Sequence, residues 1–470
     1  MEAAGLLMLA AVAVLLGLTG LPVFVVLVGV SVLAALAGLA GGVFGPAVLT
    51  ALPSRLTGLL DNDLLQALPL YVLMGALLDR LPLAETLFGA AATLVRRSRA
   101  APLLAALGVG ALIAPMNGSV GASAATLGRV VAPRLTQAGI APARSLAAIC
   151  LASTFGVVVP PSLVLLLLGD SMMRAHTEAL NATGTLSRLI NTQDLFRGAM
   201  APAALLLGAS LLLAWWSGRK EQALPLPRPG WGRLALAAAT ASFIALLLGG
   251  VALGRFYAVE AAAMGAFALA LGGALSGHLT PKVLNEVLTD TMAASGALFA
   301  LFVGATTFTL VFRLFGSDRL LASLVESLPF GATGALGGVL LILAASALVL
   351  DAFEIIFVIV PVLMPPLLIR SPDAVWVAVA ALLTLQASFL LPPLGQAVLM
   401  ARKTVTGATS TKALVRALAP FLAVQMAVLA LVLAVPAMVH LADPPQAPNP
   451  PPPAVQEPPD APLYGMQPYR

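Results

Sequence analysis

The sequence predicts an all-α polytopic membrane protein with about ten to twelve membrane elements. Two of these are re-entrant helical hairpins and two are proline-broken helices, set in a repeated arrangement. Two observations carry this reading. The chain of 470 residues is 60% hydrophobic and only 10% charged, more apolar surface than a soluble fold of this size can hide. Two Pro-Pro pairs, Pro160-Pro161 and Pro392-Pro393, then interrupt apolar stretches at matching places in the two halves. A proline inside a helix removes a backbone donor and collides with the preceding turn, so two in succession end the helix. Irregular backbone at membrane depth persists only inside protein or beside a wet cavity. Paired breaks of this kind point to the binding site of a secondary transporter.

The elements follow in order. Residues 1–63 read as N-terminal scaffold, with two retained membrane helices within 5–50 and a polar loop or short interfacial segment at 52–63; the start lacks the basic residues of a secretory signal. Residues 64–218 form a first repeat. Apolar stretches at 64–78 and 83–95 end at Asp79-Arg80 and at Arg96-Arg97-Ser98-Arg99. A hairpin at about 101–128 follows, its small polar residues from Pro115 to Thr126 marking the tip. The broken helix at about 145–168 has halves at 145–159 and 162–168, and a polar stretch at 169–194 leads to a spanning helix at 195–216. The basic loop at 219–233 belongs in the cytoplasm by the positive-inside rule.

Residues 234–441 repeat this grammar, with helices near 234–253, 257–275 and 292–315. A second hairpin at about 336–366, a second broken helix at about 374–401 and a last helix at 413–440 complete it. Asn117 precedes Pro160 by about the distance at which Asp351 precedes Pro392, which predicts an internal repeat. From 442 to 470 the chain is proline-rich with no apolar periodicity, a disordered or polyproline tail.

Composition excludes several classes. The net charge of +5 is topological and calls for no nucleic acid. A single cysteine, Cys150, allows no internal disulfide and no thiolate metal cluster. Walker A, His-Glu-x-x-His and Gly-x-Ser-x-Gly motifs are missing, and His176, His278 and His440 are scattered. The chain therefore reads as no enzyme, with no cofactor and no metal beyond a coupling cation.

The polar residues at the breaks and tips are the candidates for chemistry. In a helix starting at the first tip, Ser119, Ser123 and Thr126 share one face, and with Asn117 they supply the oxygen ligands a hard cation takes. The same small residues also suit close helix packing. Ser153-Thr154-Phe155-Gly156 leads to the first proline pair and Gln386-Ala387-Ser388-Phe389 to the second, so that Thr154 matches Gln386 and Gly156 matches Ser388. At Gly156, Pro160, Ser388 and Pro392, broken helices free carbonyls for sodium, while the following half-helix N-terminus favours an anion. Ser153, Thr154 and Gln386 are then substrate candidates. A proline kink with its hydroxyls bonded to the preceding turn is the alternative. Asp351 and Glu354 at i and i+3 are further substrate or partner candidates, because ionisable groups at this depth are costly.

These same segments resemble the large membrane subunit of TRAP transporters, the tripartite ATP-independent periplasmic family, from about 64 to 435. The resemblance rests on Tyr71-Val72-Leu73-Met74-Gly75, the hairpin at 114–128, residues 152–161 with Gly169-Asp170, and Asp194-Leu195-Phe196-Arg197-Gly198. In the second half it rests on Asp351-Ala352-Phe353-Glu354-Ile355-Ile356 and Ser388-Phe389-Leu390-Leu391-Pro392-Pro393-Leu394-Gly395; these runs look most like the branch labelled mannitol or chloroaromatic. The resemblance implies a sodium-coupled importer in the bacterial inner membrane, with an elevator-type transport domain. It also implies a small four-helix membrane subunit, a periplasmic substrate-binding protein and an organic-acid substrate. Leu391 stands where the family commonly has threonine, and Asn117-Gly118-Ser119 replaces a more usual Ser-Thr-Gly-like tip. A self-sufficient secondary anion carrier of related hairpin architecture is the alternative reading.

Overall fold

The computed structural model describes residues 3–45, 50–60, 63–184, 188–219, 224, 229–327, 329, 331–404 and 409–443. Most of the basic loop, and the proline-rich tail from 444 onward, lie outside the described residues. All regular structure among the described residues is helical. The first half comprises α1 (Ala3–Thr19), α2 (Val23–Ala40), α3 (Ala51–Leu60), α4 (Asp63–Arg80), α5 (Leu83–Leu94), α6 (Ala101–Ile113), α7 (Val120–Gln137), α8 (Pro142–Val158), α9 (Leu163–Thr183) and α10 (Thr192–Gly218). The second comprises α11 (Trp231–Ala252), α12 (Ala258–Leu275), α13 (Pro281–Leu314), α14 (Ser317–Ser327), α15 (Gly331–Ser346), α16 (Ala352–Glu354), α17 (Val360–Arg370), α18 (Ala374–Phe389), α19 (Gln396–Thr404) and α20 (Thr411–Ala434). A π-helical turn, Ile355–Ile359, joins α16 to α17. Among the described residues, eight helical stretches are long and apolar enough to cross a bilayer, and four shorter apolar helices accompany them.

Several expectations change. Of the two readings for 52–63, the loop gives way to a short helix, α3. The polar stretch after the first proline pair is helix too, since α9 runs 21 residues to Thr183. Its Asp170 and Arg174 pair at i and i+4, 3.0 Å apart, so its polar side chains mark one helix face. Helix α13 starts eleven residues before the apolar run at 292, capped by the Thr280 hydroxyl, which accepts from the Val283 amide. The last helix ends at Ala434, where Pro436 converts it to a 3-10 turn through His440.

The packing pattern survives exchange of the two halves. Helix α4 packs on α12 as α13 packs on α2, and α6 packs on α8 as α15 packs on α18. The second arm of each hairpin reaches the other half's broken helix, α7 against α19 and α17 against α9. Helices α8 and α18 meet directly, as do α10 and α20. Two bodies result. Helices α1, α2, α4, α12 and α13 pack chiefly among themselves, with α11 set between α5 and α12, and α6 to α10 with α15 to α20 form the other body. Helix α5 touches α6, α7 and α11, and α14 touches α17 and α1, so these two bridge the bodies.

The two ends of the bundle differ in charge. Arg144, Ser217 and Arg416 line one pocket, and Arg134, Arg233 and His278 line another. Together with Arg402 and Lys403 in the last turn of α19, these residues give the strongly basic end, which the positive-inside rule assigns to the cytoplasm. At about 1.5 Å per residue, α13 carries the chain some 50 Å away to Arg313 near the opposite end.

At that opposite end His440 ties the 3-10 turn after α20 to the start of α18. Its Nε2 lies 2.8 Å from Asp373 Oδ2 and its Nδ1 2.8 Å from Asp443 Oδ2, while Asp373 Oδ1 accepts from the Trp376 amide. Burial lowers the His440 pKa, but hydrogen bonds and charge from the two carboxylates outweigh it and leave the pKa above 6.5. A raised folded pKa means stability present in full below about pH 6.5 and lost as pH climbs through the raised value. We therefore expect the thermal midpoint of purified protein to carry a component that falls over this window. His440→Gln should abolish that component in thermal-shift scans across pH.

Candidate functional site

Pro160 and Pro161 have no N–H, so the carbonyls of Gly156 and Val157 lose their i+4 donors. Beyond the break, the Ser162 side chain accepts from the Leu165 amide at 3.1 Å and caps α9. The first break is buried at Pro160, Pro161 and Ser162, as is the neighbouring hairpin tip from Ala114 to Gly118. The tip approaches α8 closely. A Cβ on Gly156 would lie 2.5 Å from the Ala114 carbonyl oxygen, and one on Gly75 of α4 would lie 3.1 Å from Asn117 Cα.

The Ala114 carbonyl is the focus of this corner. It accepts from the Asn117 amide at 3.3 Å and from the Ser123 hydroxyl at 3.4 Å. The Asn117 side chain is 8% exposed, and neither its Oδ1 nor its Nδ2 has a partner. A buried unpaired amide costs about 1–3 kcal/mol, a cost that a ligand bound at this corner would remove. Asn117, Ser123 and Gly156 thus come together around one carbonyl, and their oxygens suit a hard cation; Pro160 is buried at the adjoining break.

Ser119 and Thr126 do not join them, which corrects the single-face reading. The helix begins one residue later than that reading required, and Ser119 is its N-cap, accepting from the Ala122 amide at 3.0 Å. Thr126 donates to Asp79 at the end of α4, where Arg129 also binds the same carboxylate. Asp79 therefore ties hairpin to scaffold, a role sequence reading assigned to no residue.

At the second break the chemistry differs. The Ser388 carbonyl accepts from the Leu391 amide at 3.0 Å, and the Ser388 hydroxyl donates to the Thr384 carbonyl. Pro392 is half-buried and Leu391 is 41% exposed. Without a capping serine after Pro393, α19 starts later and shorter. The first break is sealed and the second is open.

Between the breaks the two halves touch through their matched residues. Gln386 Nε2 donates to Thr154 Oγ1 at 3.5 Å, and Thr154 donates in turn to the Leu151 carbonyl at 2.8 Å. Both side chains are fully buried, and Gln386 Oε1 remains unpaired. Ser153 beside them bonds the Cys150 carbonyl at 2.8 Å, the turn-bonded arrangement of a simple kink.

Asp351 and Glu354 are not two acids projecting from one helix face. The helix starts at Ala352, and the pair forms a capping box. Asp351 Oδ1 accepts from the Glu354 amide at 2.9 Å, and Glu354 Oε2 accepts from the Asp351 amide at 2.8 Å. Their carboxylates complete the turn that opens the second hairpin's return arm.

Sequence reading missed a charged cavity of about 470 Å³ between the two bodies, near the end opposite the basic one. Arg55, Asp170, Arg174, Glu178, Thr306 and Arg313 contribute to its lining. Glu178 of α9 accepts from Arg313 of α13 at 2.7 Å, and Phe302 and Phe357 meet edge to face at 4.7 Å. The signal was present as Asp170, Arg174 and Glu178 at four-residue spacing, hidden by reading that stretch as loop.

Comparison with known proteins agrees with this architecture. The family model described as "Tripartite ATP-independent periplasmic transporter, DctM component" matches residues 9–438. The chain is 24% identical over 383 residues to the C4-dicarboxylate TRAP transporter large permease protein DctM of Rhodobacter capsulatus, covering 80% of this chain and 85% of that one. It is 24% identical over 388 residues to the sialic acid TRAP transporter large permease protein SiaM of Vibrio cholerae, covering 81% and 86%. The crystal structure of the Alcanivorax borkumensis YdaH transporter shares the fold, with a TM-score of 0.64 and 18% identity over 93% of this chain and 99% of that one.

The tight corner yields a direct test. Gly156→Ala places a methyl against the Ala114 carbonyl and should cost about 1–3 kcal/mol through overpacking. A lowered thermal midpoint of the purified variant, with Gly208→Ala on open surface as control, checks it.

Proposed function

This chain belongs to the DctM component family of tripartite ATP-independent periplasmic transporters, and we propose that it couples import of an organic acid to sodium by an elevator movement. It is a TRAP large permease, a multi-pass protein of the bacterial inner membrane and not an enzyme. The proposed partners are a small membrane subunit and a periplasmic binding protein that delivers the substrate.

The observation that carries the sodium proposal is the unpaired Asn117 amide beside the Ala114 carbonyl. Asn117, Ser123 and the carbonyls freed before Pro160 offer oxygens of the types sodium takes. Ser119 and Thr126 act around this corner as cap and tether, and Ser388 with Pro392 belongs to the more open second corner. The substrate carboxylate is proposed to lie near the Thr154–Gln386 contact, where the unpaired Gln386 Oε1 is available to a hydroxyl or other donor on the substrate. The names of the two relatives support an organic acid as the proposed substrate class, since C4-dicarboxylates and sialic acid are both carboxylic acids.

The elevator proposal draws on the two-body packing. The hairpins and broken helices contact one another across the halves, and the bridging helices α5 and α14 connect them to the rest. The charged cavity lies along the seam, where an approaching anion meets Arg55, Arg174 and Arg313. Relative movement must break Asp79–Arg129 and Glu178–Arg313, each of which joins the two bodies.

Two measurements test this reading. Uptake in proteoliposomes with the small subunit and binding protein should require sodium. Asn117→Ala and Ser123→Ala should each raise the half-saturating sodium concentration about tenfold or more, at normal protein abundance. Uptake that persists without sodium overturns the coupling, and uptake by this chain alone favours the self-sufficient anion carrier. Separately, Asp79→Cys with Arg129→Cys, oxidised to a cross-link, should stop uptake and recover it on reduction. Full uptake by the cross-linked protein overturns the elevator.

A further inference from the structure

The scaffold side of the hairpin-tip corner carries a polar group that the transport reading leaves unused. Tyr71 of α4 is 2% exposed, and its hydroxyl has no hydrogen-bond partner among the described residues. An unpaired hydroxyl in a water-free interior is costly, so a buried tyrosine ordinarily reaches a polar partner. Phenylalanine would fill the same space without that cost.

Its place on α4 shows which way that side of the helix looks. Tyr71, Gly75 and Asp79 recur every four residues and form one stripe along the helix. Two members of the stripe meet the first hairpin. A Cβ on Gly75 would lie 3.1 Å from Asn117 Cα and 3.2 Å from the Met116 carbonyl oxygen, and Asp79 accepts from Thr126 and Arg129. Helix α9 begins beside the same tip, since a Cβ on Gly118 would lie 3.2 Å from the Leu163 side chain, and α4 packs on α9 as well. Tyr71 therefore stands on the wall that faces the tip and the first break. One helical turn along this wall, opposite Gly75, the Asn117 Oδ1 and Nδ2 are also buried and unpaired. Unpaired polar atoms from both bodies thus meet at one seam.

We propose that the Tyr71 hydroxyl is the scaffold's contribution to the cation site at Asn117, so that both bodies close the site; this rests on the reading of the corner as a sodium site. A phenol oxygen keeps lone pairs for a hard cation or for a water in its shell. Because α4 belongs to the other body, the contribution exists only while the tip rests against Gly75. Bound sodium then holds tip and scaffold together in the present arrangement. The movement that parts Asp79 from Arg129 leaves Tyr71 behind.

Sodium alone serves as the probe. Thermal midpoints of the purified full chain are followed as sodium chloride replaces choline chloride at constant ionic strength, and the wild type should gain stability saturably with sodium. Tyr71→Phe, which deletes one oxygen, should match or exceed the wild-type midpoint in choline yet raise the half-saturating sodium concentration about tenfold. Tyr257→Phe, exposed at the start of α12, should leave that concentration unchanged. Added to Asn117→Ala, Tyr71→Phe should have little further effect, as expected of two groups that act on one ligand. An unchanged sodium requirement in Tyr71→Phe, effects that multiply in the double variant, or a lowered midpoint in choline overturns the inference and leaves the sodium reading standing. A wild type that does not respond to sodium overturns both.

Discussion

Backbone hydrogen bonding in a medium without water is the constraint on which this structure depends. Pro160-Pro161 and Pro392-Pro393 each withdraw two donors from a helix inside the hydrocarbon. The freed carbonyls must be met by protein or by a ligand. At the first break the answer is a buried corner: hairpin tip, α8 and α4 converge so closely that Gly156 and Gly75 are the residues that fit. At the second break the Leu391 amide turns back onto Ser388, and the surroundings stay open. One constraint met in two ways makes the halves alike in path and unlike in chemistry.

The same constraint explains why the halves interlock. Each hairpin's return arm packs on the broken helix of the other half, and each half's scaffold helix packs on the other's. Neither half can bury its own break alone. The Thr154–Gln386 hydrogen bond lies where the two broken helices cross, which makes the centre of the molecule polar. Around it, two ion pairs lie across the seams. Asp79 with Arg129 and Glu178 with Arg313 join bodies that otherwise meet through a charged cavity.

Legibility in the sequence followed the physics of each signal. The breaks, both hairpins and the equivalence of Thr154 and Gln386 in the repeat were readable, because proline acts locally and duplication preserves spacing; that the two side chains touch was not. The length of α9 was not, since Asp170, Arg174 and Glu178 look like a loop until their common face is seen against a cavity. Ser119 and the Asp351–Glu354 pair were readable as polar residues but not as caps, because capping depends on where a helix starts, to within one residue. Asp79 was misread as a mere helix end; its partners Thr126 and Arg129 lie some fifty positions further along the chain.

The sequence by itself determined that this chain is helical, lies in a membrane and is interrupted twice at equivalent depth. Composition sets the solvent, and two prolines stop a helix whatever surrounds them. Only the tertiary structure decided which oxygens gather. Asn117, Ser123 and Gly156 come together because a hairpin tip is pressed against a broken helix, whereas Thr126 is drawn off to Asp79. Such convergence depends on packing between segments distant in the chain, and no local propensity encodes it.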